Sequence, residues 1–203
     1  MGKLENFDLK KYHLEKKVRR ILIIAISLLF LLLFLAYYVI GIIYNSGNFS
    51  VTLDKNLYFD DGLIIYDDPT YKVYRSELLA PAPDTFDNIS YKWLPKDITE
   101  HEGGSHNGDN YLAYTFFVKN GGEETSDYRI VLNILSVIKN VDEAVRVKIY
   151  FNGDETVYAK KNGTTNEPEP NTQAFVSDTQ VMNYLRKGIE PNDVDRITVV
   201  IWL

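Results

Sequence analysis

The sequence predicts a mainly β domain, an antiparallel β-sandwich or jelly roll, that follows a single N-terminal transmembrane helix. The helix is predicted because residues 21–44 carry no charge and are almost entirely apolar. The β domain is predicted because short runs rich in β-branched and aromatic residues, several with alternating apolar and polar side chains, recur after this segment, bounded by turn residues. Helical periodicity is scarce in the same region, which disfavours an α/β arrangement.

Composition limits the function before any motif is considered. The 203 residues include 22 Lys and Arg against 28 Asp and Glu, a net charge of -6, and no cysteine. An acidic chain disfavours nucleic-acid binding, which depends on clustered basic side chains. The lack of cysteine excludes thiol nucleophiles, disulfides and cysteine-type zinc sites.

The charge is divided into three zones that predict three environments. Residues 1–20 carry seven basic and three acidic side chains, residues 21–44 carry none, and residues 45–203 carry 15 basic and 25 acidic side chains. We interpret these zones as a cytoplasmic tail, a transmembrane signal anchor and an extracellular domain. The basic residues Lys16, Lys17, Arg19 and Arg20 abut the apolar run, so the positive-inside rule places the N-terminus in the cytoplasm.

The apolar segment is long enough to stay in the membrane as an anchor. As a helix it would span roughly 36 Å at 1.5 Å per residue, against a hydrocarbon core of about 30 Å. The alternative is a cleaved signal peptide, because a basic region precedes the run. That alternative is disfavoured, since such runs are usually about 7 to 15 residues and end at small residues.

Turn chemistry and composition predict the elements of the extracellular domain. Asn152-Gly153 is typical of a type I′ hairpin turn, and Lys119–Gly122 is expected to join another antiparallel pair. The predicted strands are Phe49–Leu53, Leu63–Tyr66, Tyr71–Tyr74, Tyr111–Val118, Tyr128–Leu135, Val145–Phe151, Glu155–Lys160, Phe175–Val176 and Arg196–Trp202. Apolar spacing predicts a short helix at Asp178–Arg186 and one helical turn at 141–144. Residues 79–100 and 161–174 are expected to be irregular.

Two histidines are the candidate metal ligands. His101 and His106 lie in HEGGSH with Glu102 between them and Asp109 nearby. A zinc peptidase needs HExxH on a helix, and here the spacing is five with two glycines between. These four residues are therefore candidates only for a divalent ion bound adventitiously in a loop, with a solvated polar turn as the alternative. Acidic turns such as Asp60-Asp61 and Asp67-Asp68 are candidates for Ca²⁺, although turn chemistry explains them equally well.

No catalytic machinery is predicted. No nucleophile motif accompanies the histidines, and no glycine-rich phosphate loop is present in the sequence. We expect a protein that is not an enzyme and needs no cofactor. Tyrosines among acidic residues and turns, above all Tyr66, Tyr71 and Tyr74, predict an exposed surface for a sugar or a partner protein, with coverage of the end of the sandwich as the alternative.

The order of several sequence phrases resembles the TasA/camelysin group of Gram-positive bacterial surface proteins. These phrases are VTLDKN, GDNYLAYTFFVKNGGEE, VIKNVDEAVRVKIYFNG and DRITVVIWL, and the similarity spans most of residues 50–203. The resemblance implies a jelly-roll ectodomain and a role in the extracellular matrix or fibres of a biofilm. Two features depart from the group: the apolar segment is predicted to be retained, and a truncation after Leu203 is expected from the point where the chain stops.

The leading functional hypothesis is a membrane-anchored structural or adhesive protein that assembles by strand addition. Its expected partners are the bilayer and further copies or other surface proteins. Residues 45–56 and the closing strand 196–202 are the expected strand donors. The alternatives are a monomeric carbohydrate- or protein-binding domain and a membrane-tethered metallopeptidase of camelysin type.

Overall fold

The computed structural model describes residues 2–45, 49–70, 75–83, 85–137 and 140–203. The chain divides into two compact units, Met1–Gly47 and Asn48–Leu203. The first unit contains one helix, α1, Gly2–Asn45. Among the described residues, α1 is the one helix that is long and apolar enough to cross a membrane, and its candidate span is Lys16–Ile40. The apolar side chains of this stretch are exposed, and a helix of this kind occurs both in membrane anchors and in signal sequences.

The second unit is mainly β and contains three sheets, in which all strand pairs but one are antiparallel. Its elements are β1 Phe49–Thr52, α2 Lys55–Phe59, β2 Leu63–Tyr66, β3 Glu77–Ala80, β4 Gly104–Ser105, β5 Tyr111–Asn120, β6 Ser126–Asn133, β7 Arg146–Phe151, β8 Asp154–Ala159, β9 Gln173–Ala174, β10 Gln180–Ile189 and β11 Val194–Trp202. Short 3-10 helices lie at Tyr91–Trp93 and Val141–Glu143.

Seven strands form the largest sheet. Its order is β2-β5-β11-β7-β8-β9, with β4 paired to β5, and the β8–β9 pair is parallel. The other sheets each have two strands, β1 with β3 and β6 with β10. The main core joins one face of the seven-stranded sheet to side chains of both smaller sheets, including Leu78, Tyr128, Val181, Met182 and Ile189.

The predicted hairpin at Asn152-Gly153 is confirmed. Both residues have positive φ, 51° and 97°, as a type I′ turn requires, and β7 pairs with β8 across it. The helical turn at 141–144 is also confirmed as a 3-10 helix. The predicted strand Tyr71–Tyr74 lies outside the described residues.

The predicted pairing of the strands around residues 111–118 and 128–135 is wrong. β5 pairs with β2, β4 and β11, whereas β6 pairs with β10 in a separate sheet. The buried Asn120 side chain explains the difference, because its amide donates to the carbonyls of Glu124 and Ile189 at 2.8 and 2.9 Å and accepts from the Gly122 N–H. The connection therefore carries the chain to another sheet instead of closing a tight hairpin.

The helix predicted at Asp178–Arg186 is also wrong, because these residues mostly belong to the strand β10. Long-range pairing with β6 outweighs the weak local spacing, and it buries Val181 and Met182. The short strand predicted at Phe175–Val176 lies two residues earlier, at β9.

The closing strand cannot serve as a free strand donor. β11 lies between β5 and β7, and both of its edges are paired. The other expected donor, residues 45–56, includes β1, which pairs along its length with β3.

Candidate functional site

The back face of the seven-stranded sheet, opposite the main core, carries a row of polar side chains. Residues directly opposite in an antiparallel pair share a face, so Thr115 of β5 faces Thr198 of β11, and Phe117 faces Arg196. The two threonine hydroxyls are 2.7 Å apart and both side chains are buried. Segment 89–106 covers this face, with Ile98 packed in a small second core.

His106 reaches this row because β4 pairs with β5 immediately before it. Its Nε2 lies 3.0 Å from Thr115 Oγ1, and its backbone N–H donates to the Ala113 carbonyl. The local backbone requires both of the glycines that separate the two histidines. A side chain at Gly103 would lie 2.2 Å from the Asp67 carbonyl oxygen, and Gly104 has a φ of +74°.

His101, His106, Thr115, Arg196 and Thr198 together form what we name the His106 cluster. The two imidazole rings stack with centroids 4.3 Å apart, and the Arg196 guanidinium donates to the His101 carbonyl. Within the described residues His106 Nδ1 and Arg196 Nε are buried without hydrogen-bond partners. Burial, with His101 and Arg196 adding repulsion, lowers the pKa of His106 to about 4, so the ring is neutral at neutral pH.

The metal ligands predicted from sequence are brought together only in part. His101 and His106 meet, while Glu102 and Asp109 are exposed. In the part of the chain that the structure describes, no three His, Asp or Glu side chains converge as a metal ion would require. At the acidic turn near residue 68, the Asp68 carboxylate accepts both the N–H and the hydroxyl of Thr70, which agrees with the turn chemistry proposed for these acids.

The exposed tyrosine surface predicted at Tyr66 is wrong. This residue is 3% exposed and stacks on Phe117 with ring centroids 5.1 Å apart, because it is the last residue of β2 and faces β5. Tyr71 and Tyr74 lie outside the described residues. Trp93, which no sequence pattern indicated as a surface residue, is 72% exposed and belongs to a 3-10 turn.

Lys148 is a second titratable group held on the back face. Its ammonium donates to the Tyr91 hydroxyl at 2.7 Å, pairs with Glu155 and lies over the Tyr150 ring. Burial alone would lower the pKa of Lys148, but the hydrogen bonds to Glu155, Tyr150 and Tyr91 outweigh it and raise the pKa. The lysine is therefore a satisfied buried cation.

The two-stranded sheet of β6 and β10, which we name the ribbon, is fixed to the large sheet by a buried carboxylate. Asp195 of β11 accepts hydrogen bonds from Tyr128 of β6, Arg186 of β10 and Asn152 of the hairpin turn, at 2.7, 3.0 and 2.7 Å. This carboxylate is almost fully buried, so its three partners compensate for the cost of removing it from water. No sequence motif indicated this contact.

The ribbon is the longer of the two strand pairs outside the large sheet. β6 and β10 have eight and ten residues and pair with each other over most of their length. Among the described residues no strand pairs with the outer edge of either one. Val131 and Leu185 are 40% and 39% exposed on its outward face.

Comparison with known proteins finds no matching family model, no similar curated protein and no similar solved structure. The resemblance to the TasA/camelysin group therefore stays a prediction from the sequence phrases alone.

Proposed function

We propose that this protein is a membrane-anchored structural or adhesive component of the cell surface, and that copies assemble by strand addition along the ribbon. In this proposal the three sheets form a β-sandwich of the jelly-roll kind, with the ribbon and the β1–β3 pair covering one face of the large sheet. The biofilm-matrix role follows from the resemblance to TasA-like proteins. The proposal assigns the protein no catalytic residues and no cofactor.

The observation that carries the proposal is the open edge of the ribbon. A strand at an edge presents unpaired N–H and C=O groups, and natural proteins usually protect such edges with short strands, charges or bulges. The ribbon has bulges at 180–182 and 186–189, but a regular stretch remains between them, with Asn183, Tyr184 and Leu185 in register against β6. This stretch is suited to the addition of a strand from a neighbouring molecule.

Rigid presentation of the ribbon supports the same function. An edge that is already held in its bound conformation loses less conformational entropy on association. The Asp195 hydrogen bonds and the burial of Ile189, which is fully buried, provide that rigidity.

The assembly test compares two single lysine substitutions in the full chain, purified in detergent and examined by sedimentation and electron microscopy. Leu185→Lys places a charge on the regular stretch of the ribbon and is expected to lower the fraction of species larger than dimers about tenfold. Thr164→Lys adds the same charge in an exposed loop and is expected to leave the fraction unchanged. A wild-type chain that never exceeds a dimer at any concentration removes the assembly proposal and favours the monomeric binding domain.

The orientation is proposed with the N-terminus in the cytoplasm. The basic residues before the apolar segment support it through the positive-inside rule. Protease treatment of intact cells is expected to release peptides from the exposed loop 161–172 and to spare residues 1–20. The opposite pattern would invert the topology.

The competing function is a metallopeptidase that uses His101, Glu102 and His106. The geometry of the His106 cluster does not favour it, because His106 Nε2 lies at Thr115 and Nδ1 is buried. Stoichiometric zinc in the purified full chain, together with peptidase activity that His101→Ala abolishes, would replace the structural proposal with the enzymatic one.

A further inference from the structure

The anchor and the tail before it belong to one uninterrupted helix. Helix α1 includes 44 residues, and roughly 28 Å of it precedes the apolar segment at 1.5 Å per residue. A single helix keeps one register from the tail into the span. The heptad positions of the tail can therefore be assigned from the sequence along this continuous backbone.

The tail carries a heptad pattern. Leu4, Phe7, Leu14, Val18 and Ile21 follow one another at spacings of three, seven, four and three, while Leu9 lies off this stripe at f. With Leu4 at position a, Phe7, Leu14 and Ile21 fall at d and Val18 at a. The remaining a position holds Lys11, and a single polar residue at a is a known device for fixing register and a two-stranded state. Beyond Ile21 nearly every residue is apolar, so the pattern is informative only in the tail.

The charges beside this stripe are complementary between two parallel copies. The g positions hold Lys3, Lys10 and Lys17, and the e positions hold Asp8, Glu15 and Leu22. In a parallel coiled coil each g residue meets the e residue of the next heptad in the other copy. Lys3 is thereby matched with Asp8 and Lys10 with Glu15, so both pairs are attractive.

We propose that the occupant of this helix face is a second copy of the same chain, forming a parallel two-stranded coiled coil through residues 4–21. Membrane insertion orients both copies identically, which selects the parallel arrangement that the charges also favour. About two and a half heptads are too short to associate strongly alone. Two anchors in one bilayer raise the effective concentration of the tails and compensate for the short length.

The lack of cysteine makes the test direct. Single-cysteine variants of the full chain are expressed in membranes, oxidised, and the disulfide-linked dimer is measured on a non-reducing gel. Leu14→Cys and Val18→Cys at d and a are expected to give at least fivefold more dimer than Lys16→Cys and Arg19→Cys at f and b. Equal dimer at all four positions overturns the proposal.

A charge exchange tests the register. In the Leu14→Cys background, Lys10→Glu places two acidic residues opposite each other and is expected to lower dimer formation several-fold. Adding Glu15→Lys restores the opposite-charge match and is expected to restore the dimer. Failure of the double variant to recover overturns the parallel register. Both charge-exchange variants keep the basic residues at 16, 17, 19 and 20, which preserves the orientation signal.

The inference rests on retention of the anchor, which is part of the proposed function. Two controls distinguish a failure of the anchor from a failure of the coiled coil. An N-terminal epitope tag that is lost from the mature chain would contradict the anchor itself. A retained tag with flat cross-linking contradicts only the coiled coil. Cross-linking is expected to persist when Leu185→Lys is added, because the tail contact does not depend on the ribbon.

Discussion

The two faces of strands β5 and β11 are stabilised in different ways, although the same backbone carries both. The front face places Tyr114, Phe116, Ile197 and Val199 in the main core. The back face places Thr115 and Arg196 near His106, and Thr198 in hydrogen-bond contact with Thr115. Apolar burial depends on area and is insensitive to pH, whereas buried polar groups depend on partners and protonation. Protonation of His106 should therefore make the back face sensitive to acid.

The largest effect is expected on the front face. Ile197→Ala removes a side chain that is 1% exposed and leaves a cavity between the sheets, so the free energy of unfolding should fall by about 3 to 4 kcal/mol. Val194→Ala lies on the same strand at a position that is 40% exposed and should cost less than about 1 kcal/mol. Urea unfolding of both variants measures the difference. Equal losses would show that the front face is not the principal core.

The alternation that separates these two faces was only partly predictable from sequence. Arg196–Trp202 has the composition of a strand, and the structure confirms a strand there. The sequence could not say that both faces are covered, because the cover of the back face comes from residues 89–106, whose position depends on the pairing of β4 with β5.

Contacts between residues far apart in the chain were not predictable from local sequence patterns. β6 and β10 are separated by more than 40 residues along the chain, and neither strand contains a signal for the other. The meeting of His106 with Arg196, and of Asp195 with Tyr128, likewise depends on sheet register. Local signals such as Asn152-Gly153 were predictable because both residues of the turn determine its conformation.

The second prediction concerns pH and the back face. Burial, repulsion from His101 and repulsion from Arg196 hold the pKa of His106 at about 4 in the folded state, against 6.5 in the unfolded chain. The unfolded state therefore binds the proton at a higher pH. The neutral His106 therefore contributes fully to the free energy of unfolding above pH 6.5. This contribution is lost as the pH falls from 6.5 through about 4, and the loss is at most about 3 kcal/mol.

His106→Gln tests this contribution because glutamine has a similar shape and does not titrate. The wild-type chain should lose more unfolding free energy than the variant between pH 7 and pH 4, by up to about 3 kcal/mol. His101→Gln, at the exposed ring of the stack, should reduce the acid loss much less. A His106 pKa near 6.5 by NMR would contradict the burial of its imidazole.

The smallest changes in unfolding free energy are expected when a hydroxyl is removed from one residue of β11 and introduced at the next. Thr198→Val removes the hydroxyl that lies 2.7 Å from Thr115, and should cost about 1 kcal/mol because Thr115 keeps its contact with His106. Val199→Thr introduces a hydroxyl of nearly the same shape into the front core, where Val199 is 3% exposed, and should cost about 2 kcal/mol. Denaturant unfolding at pH 7 ranks the two variants. If the back face were only an extension of the apolar core, Thr198→Val would stabilise the protein instead. We expect both variants to lose unfolding free energy, because the back face requires a hydroxyl at position 198 and the front face requires an apolar side chain at position 199.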